Sequence, residues 1–426
     1  MKSQKQPRID PEFLINRRGL QALLFSSIKL MEISASVIVR TESLPWKLGL
    51  SHNVWALAQT AQLLHTRIGS LRVKEVRPCP ATRAYRDFID RIANLSDPVS
   101  EMGVLARLAY PDLKASVDRY RARLLSTDEV TADCLDQVSA RLTALYSADI
   151  APASLSPEFA ETLARSGGAV PAADAFREEM HPGPAEESFT ADLNSLRVIP
   201  ARPGRSSQFT EAKDGSTKET ASGYGPAFYD FAFRIELCAT EICAAMLAHY
   251  VDAPWGLRHD LAKQLRDEAR HFELFISRAE ELGTKLGALP VRFEVWDNFM
   301  LGESLAERLI IEQRIGEGIA LDSADDIYAR LKASGEEELA LVFQYVTADE
   351  ITHVANGNKW LRSLLGTDDA VDALEKKVMN RLIRHKEGRV YKHPINVENR
   401  RLAGFHEDEI ESIRREQSFD GSDADA

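Results

Sequence analysis

Cysteine is scarce in this sequence. Four occur in 426 residues, Cys79, Cys134, Cys238 and Cys243, and none forms a Cys-x-x-Cys pair. That usage fits neither a zinc ribbon nor a disulfide framework, so reduced thiols in a cytoplasmic protein are expected. Basic charge is also in the minority, with 53 Lys and Arg against 65 Asp and Glu, a net charge of −12. General nucleic-acid binding needs a basic face, so a nucleic-acid partner is disfavoured. The first thirteen residues lack the apolar core of a signal peptide. No run of about 18 uncharged apolar residues stands out, so neither a spanning helix nor a membrane partner is expected. Strand-like alternation is rare, which leaves an all-α fold as the simplest expectation.

What the sequence does contain is helical periodicity in two blocks. Residues 1–150 read as an N-terminal helical domain. Leu20, Leu23, Leu24, Ile28 and Met31 recur at three- and four-residue steps, as do Leu57, Ala61, Leu64 and Ile68. Residues 151–225 are rich in Pro, Gly and Ser and read as a linker with at most a short helix, in which Leu193, Leu196 and Val198 are apolar enough to dock. Residues 226–366 read as four long helices, about 228–251, 254–282, 304–321 and 336–365. Asp322 to Asp325 should interrupt the third. Four such helices with short loops favour a bundle. Residues 367–426 form an extension. Nine Lys or Arg against two Glu give 376–401 a local charge of +7, and residues 418–426 are acidic and expected to be disordered. Lys376, Lys377, Arg381, Arg384 and Lys386 read either as a solvated helix face or as a guide for an anionic substrate.

Two segments carry chemistry: Asp267-Glu268-Ala269-Arg270-His271 and Asp349-Glu350-Ile351-Thr352-His353. Each is D-E-x-x-H on an expected helix. Glu and His three apart share a helix face, so both can reach one metal ion. One such motif is a weak signal, but two, each in the second helix of a pair, are much stronger. A two-metal site also needs a carboxylate from each partner helix. If the chain turns between Val251 and Pro254, Glu236 lies 251 − 236 = 15 residues from the turn and Glu268 lies 268 − 254 = 14. That puts them level, whereas Glu241 falls about one turn out. Glu317 precedes Glu350 by 350 − 317 = 33 residues, close to the 268 − 236 = 32 of the first pair, and is preferred to Glu312 at 38. The expected metal ligands are therefore Glu236, Glu268, His271, Glu317, Glu350 and His353. Asp267 and Asp349 are expected to accept from the histidine of the opposite helix, and Glu241 and Glu312 are expected to be supporting or surface groups rather than ligands. Cys238 and Cys243 read as small core residues.

This run of residues resembles the ferritin-like di-iron carboxylate superfamily. More narrowly, Arg234 to Glu241, Asp267 to Phe272, Asp349 to Val354 and the tail Lys392 to Phe405 resemble a largely uncharacterised bacterial family of ferritin-like proteins. The resemblance covers about 226–405 and implies a ferritin-like four-helix bundle there, to which the N-terminal helical domain read from periodicity is an addition. In that family Glu241 has a counterpart and Glu312 does not, so Glu312 is a departure. The stretch His52 to His65 echoes a related pattern, with Gln59 and Gln62 where acidic and histidine ligands would stand. Neutral amides are poor ligands for such cations, so this half is expected to be metal-free.

Mixed Glu and His ligands suit two iron ions, or manganese, or one of each. The resemblance then implies a non-haem di-iron oxidoreductase, an oxidase or oxygenase that uses O2 on a small organic substrate and draws on an electron donor. The alternative is a metal-handling or peroxide-scavenging protein. A tRNA-modifying hydroxylase is disfavoured by net charge, and a structural protein with a vestigial site by the six intact ligands. A homodimer is compatible with this reading.

Overall fold

The computed structural model describes residues 10–146, 156–171, 196–212, 224–386, 390 and 394–418. Among them all regular structure is helical, apart from one isolated bridge between Glu211 and Val291. The chain divides into two units, Met1–Ser206 with Cys243–Arg266, and Ser207–Ile242 with Asp267–Ala426.

The first unit contains α1 (Pro11–Arg40), α2 (Leu44–Gly69), α3 (Arg83–Ala93), α4 (Pro98–Val104), α5 (Tyr110–Arg121), α6 (Glu129–Thr143) and α7 (Pro157–Ser166). A π-turn over Leu105–Ala109 joins α4 to α5. Asp10 starts α1 by accepting the Glu12 N–H, and Ser43 does the same for Trp46 at the start of α2. α1 is strongly apolar. Its span Glu12–Arg40 is long and apolar enough, by length and composition, to cross a membrane, and its most apolar window is wholly buried inside the protein. Lys29 and Glu32 interrupt the apolar run, so no stretch of about 18 uncharged apolar residues occurs in it. Those two charges are buried, and Glu32 takes both Lys29, at 2.8 Å, and Arg258. Sharing one carboxylate between two cations offsets part of the desolvation of all three.

Within the stretch expected to be a linker, α7 is a helix and Leu196 is buried, its N–H donating to the Ala248 carbonyl. Val198 stays exposed, and Leu193 lies outside the described residues. Gly204 comes so close to the end of α1 that a β-carbon there would meet the Arg40 and Thr41 carbonyl oxygens at 2.4 and 2.5 Å. Only glycine permits that approach.

The second unit holds the motifs. The first helix of the set is a run of α8 (Tyr224–Phe231), a π-turn (Ala232–Glu236) and α9 (Leu237–His249). The second is α10 (Trp255–Glu281). Both runs cross the division between units. After α11 (Glu294–Met300), a third run joins α12 (Leu305–Leu309), a longer π-turn (Ile310–Gly316) and α13 (Glu317–Ala333). The fourth is α14 (Glu337–Leu365), closed by left-handed Gly366. The expected interruption at Asp322 is absent. Its carboxylate does not compete for local backbone, because it accepts two bonds from the buried Arg400 guanidinium and one from the Asn396 N–H.

The extension is built from α15 (Asp368–Lys386), α16 (Val397–Leu402) and α17 (Glu407–Ser418). Of its basic residues, Lys377 and Arg381 pair with Glu307, and Lys386 pairs with Glu294. Three of the five named basic residues are thus held in ion pairs within the protein. Buried Arg314 donates to Glu375, Asn358 and Glu409 and lies over the Phe405 ring, which Arg400 also faces. Residues 419–426 lie outside the described residues.

Candidate metal centre

Four helical runs deliver the motif residues to one buried place. Two overlapping groups of potential ligands form there. Glu236, Glu268, His271 and Glu350 make one, and Glu268, Glu317, Glu350 and His353 make the other. Within each group the ligand atoms lie within 4.8 Å of one another. The six expected residues are thus brought together, and Glu268 and Glu350 are common to both groups.

The local geometry follows from helix register. Glu236 stands 249 − 236 = 13 residues before the end of α9, and Glu268 stands 268 − 255 = 13 after the start of α10. The π-turn in the first run ends at Glu236, so the stretch that sets this level is regular. In the third run the Glu317 N–H donates to the Glu312 carbonyl, an i to i+5 bond. In a regular helix residues five apart point about 140° away from one another. A π-turn stacks them, so both carboxylates lie on one side of the run.

The histidines are held alike, except that Asp349 is also paired with Arg270. His353 Nε2 meets Asp267 at 3.2 Å, and His271 Nε2 meets Asp349 at 3.4 Å, each aspartate coming from the opposite motif. The Nδ1 atoms face the glutamates. His271 Nδ1 is 3.5 Å from Glu268 Oε2 and 3.2 Å from Glu350 Oε1. His353 Nδ1 is 3.0 Å from Glu268 Oε1 and 2.9 Å from Glu350 Oε2. Each of these two glutamates therefore turns one oxygen to each histidine, and the ring centroids are 6.3 Å apart.

The residues fit a metal. His271 Nδ1 and Glu236 Oε2 are buried and face each other at 3.4 Å, yet neither makes a hydrogen bond. Orphaned polar atoms of this kind are costly unless something binds them. Burial raises the Glu236 and Glu317 carboxyls well above the usual range, and neighbouring glutamates add to it. Burial would lower both histidines, but the surrounding carboxylates outweigh it and hold them well above their ordinary value. Glu268 is held low because the two histidines that face it outweigh its burial. A cluster of acids this crowded shares protons in place of a cation.

Glu312 is buried and pushed up to about 8, by burial first and then by Glu268 and Glu350. The sequence reading placed it in a supporting role without its π-turn, which no residue type signals. Glu241 is buried on α9 and joins neither group. Gln62 accepts a bond from the Trp255 indole at 2.8 Å.

Comparison with known proteins adds the family. No curated protein and no solved structure matches the chain. A family model described as protein of unknown function (DUF455) matches residues 169–411, more than half of the sequence, from the end of α7 into α17. The chain, helical in its described residues and carrying this buried Glu and His cluster, belongs by that match to the DUF455 family.

Proposed function

We propose that residues 224–366 form a ferritin-like bundle that holds two metal ions, iron or manganese, and acts as an oxidase or oxygenase on a small organic substrate. The observation that carries this is the sharing of Glu268 and Glu350 between two histidine-containing groups. Glu236 and His271 complete the first site, and Glu317 and His353 the second. Bound there, the two ions supply the redox capacity to reduce O2. The chain's own part is positional. Asp267 and Asp349 hold the imidazole Nε2–H groups, which turns the Nδ1 lone pairs inward. Nearly complete burial of all six ligands keeps bulk water out.

Metal analysis of full-length protein reconstituted with ferrous iron or manganese tests this. About two ions per chain are expected. Glu268→Ala should lose both ions and Glu236→Ala only one. No bound metal after reconstitution would sink the proposal. The alternative reading, metal storage, predicts a large hollow oligomer loading far more iron than the ligands can hold. The enzyme reading predicts uptake that stops at the ligand number and O2 consumption that a substrate accelerates.

A further inference from the structure

An aromatic cavity of about 210 Å³ lies in the second unit. Tyr224, Phe228, Phe231, Phe275 and Phe343 line it, with Arg330 among them. Phe275 is the hub. It stacks on Phe228 at 6.0 Å, meets Phe231 edge-on at 4.9 Å, and lies 6.3 Å from Phe343. Helix register places the cavity beside the metal centre. Phe275 follows His271 by four residues on α10, one turn and about 6 Å along the same face. Phe343 precedes Glu350 by seven on α14, about 10 Å. Ile327, also in the lining, follows Glu317 by ten on α13, about 15 Å.

Among the described residues Arg330 is the only charged side chain in this lining. It is exposed and makes no ion pair with any described acidic residue. In a chain of net charge −12, a guanidinium with no partner among the described acidic residues, placed at an apolar cavity, is a local attraction for an anion. The volume falls below the roughly 300 Å³ at which drug-sized pockets begin, so the ligand is small. Flat aromatic walls favour a ring that stacks offset or edge-on.

We propose that this cavity is the substrate pocket of the metal centre and takes a small aromatic monocarboxylate, its ring among the phenylalanines and its carboxylate at Arg330. As a substrate pocket it rests on the oxidase reading above, and the test separates the two. Full-length protein of measured metal content is titrated calorimetrically with hydrocinnamate and with its neutral amide. Saturable binding of the acid is expected. Arg330→Gln should weaken the acid by about tenfold, the scale of one charge-assisted contact, and leave the amide unchanged. Ala227, exposed on the cavity wall, allows a second variant. Ala227→Trp should fill the space and abolish both ligands with the melting temperature kept. No saturable binding by protein that holds its two ions would overturn the pocket and leave the metal centre standing. Binding unaffected by both substitutions would also overturn it. Binding by a chain that takes up no metal would remove its role as a substrate site.

Discussion

Each histidine of the candidate centre faces glutamates at Nδ1 and meets one aspartate at Nε2. The aspartates are less buried than the ligands, with side-chain exposures of 14% for Asp267 and 26% for Asp349, so replacing them leaves the core intact. Asp267→Asn and Asp349→Asn should each lower metal affinity by roughly 10- to 100-fold, the usual cost of losing a ligand's orienting partner. A chelator competition titration measures this, with circular dichroism as the check on folding. Unchanged affinity would show that these contacts do not orient the rings. This part of the site was legible in the sequence, because Glu and His at i and i+3 share a helix face whatever the fold around them. Glu312 was not. Its facing depends on one extra residue in a turn, and nothing in the side chains between Ile310 and Gly316 announces it.

At the level of elements, the third and fourth runs approach unusually closely. A β-carbon on Gly357 would lie 2.5 Å from the Gln313 β-carbon, inside the π-turn that carries Glu312. Gly357→Ala therefore sets two effects against each other. Alanine gains about 1 kcal/mol of helix propensity, while overpacking costs about 1–3 kcal/mol. The atom it meets is next to backbone and cannot swing away, so a net loss of about 1 kcal/mol is expected from urea unfolding midpoints. A more stable variant would mean that the π-turn yields. Levelling of the first helix pair could be read from residue counts because its turn is short and its helices regular. The second pair is unequal, with 333 − 317 = 16 residues against 350 − 337 = 13, so repetition of the spacing, rather than path length, pointed to Glu317. Asp322 misled for a related reason. It reads as a helix breaker until its partner Arg400, far along the chain, is known.

Across the whole molecule, the C-terminal elements are fixed by buried charge. Glu409, itself buried, takes bonds from Arg314, Arg362 and the His406 N–H. Burial would lower the Arg314 guanidinium, but Glu375 and Glu409 hold it well above its ordinary value. Glu409→Gln keeps the shape and removes the charge, leaving Arg314 buried with one carboxylate fewer. A loss of about 3 kcal/mol is expected, read as a lower thermal midpoint. A change near zero would show that Glu375 alone suffices. Charge runs in the extension could be counted from sequence, but their partners could not, because pairing depends on tertiary contact. The clamp also has a consequence in time. Arg314 sits in the same π-turn as Glu312, only three residues from Glu317, and its partner is made 95 residues later. During synthesis from the N-terminus, every proposed ligand leaves the ribosome before Glu409 does. The segment carrying the third-run carboxylates thus lacks one buried partner until the last described helix emerges, so the proposed metal loading is expected to follow that step rather than precede it.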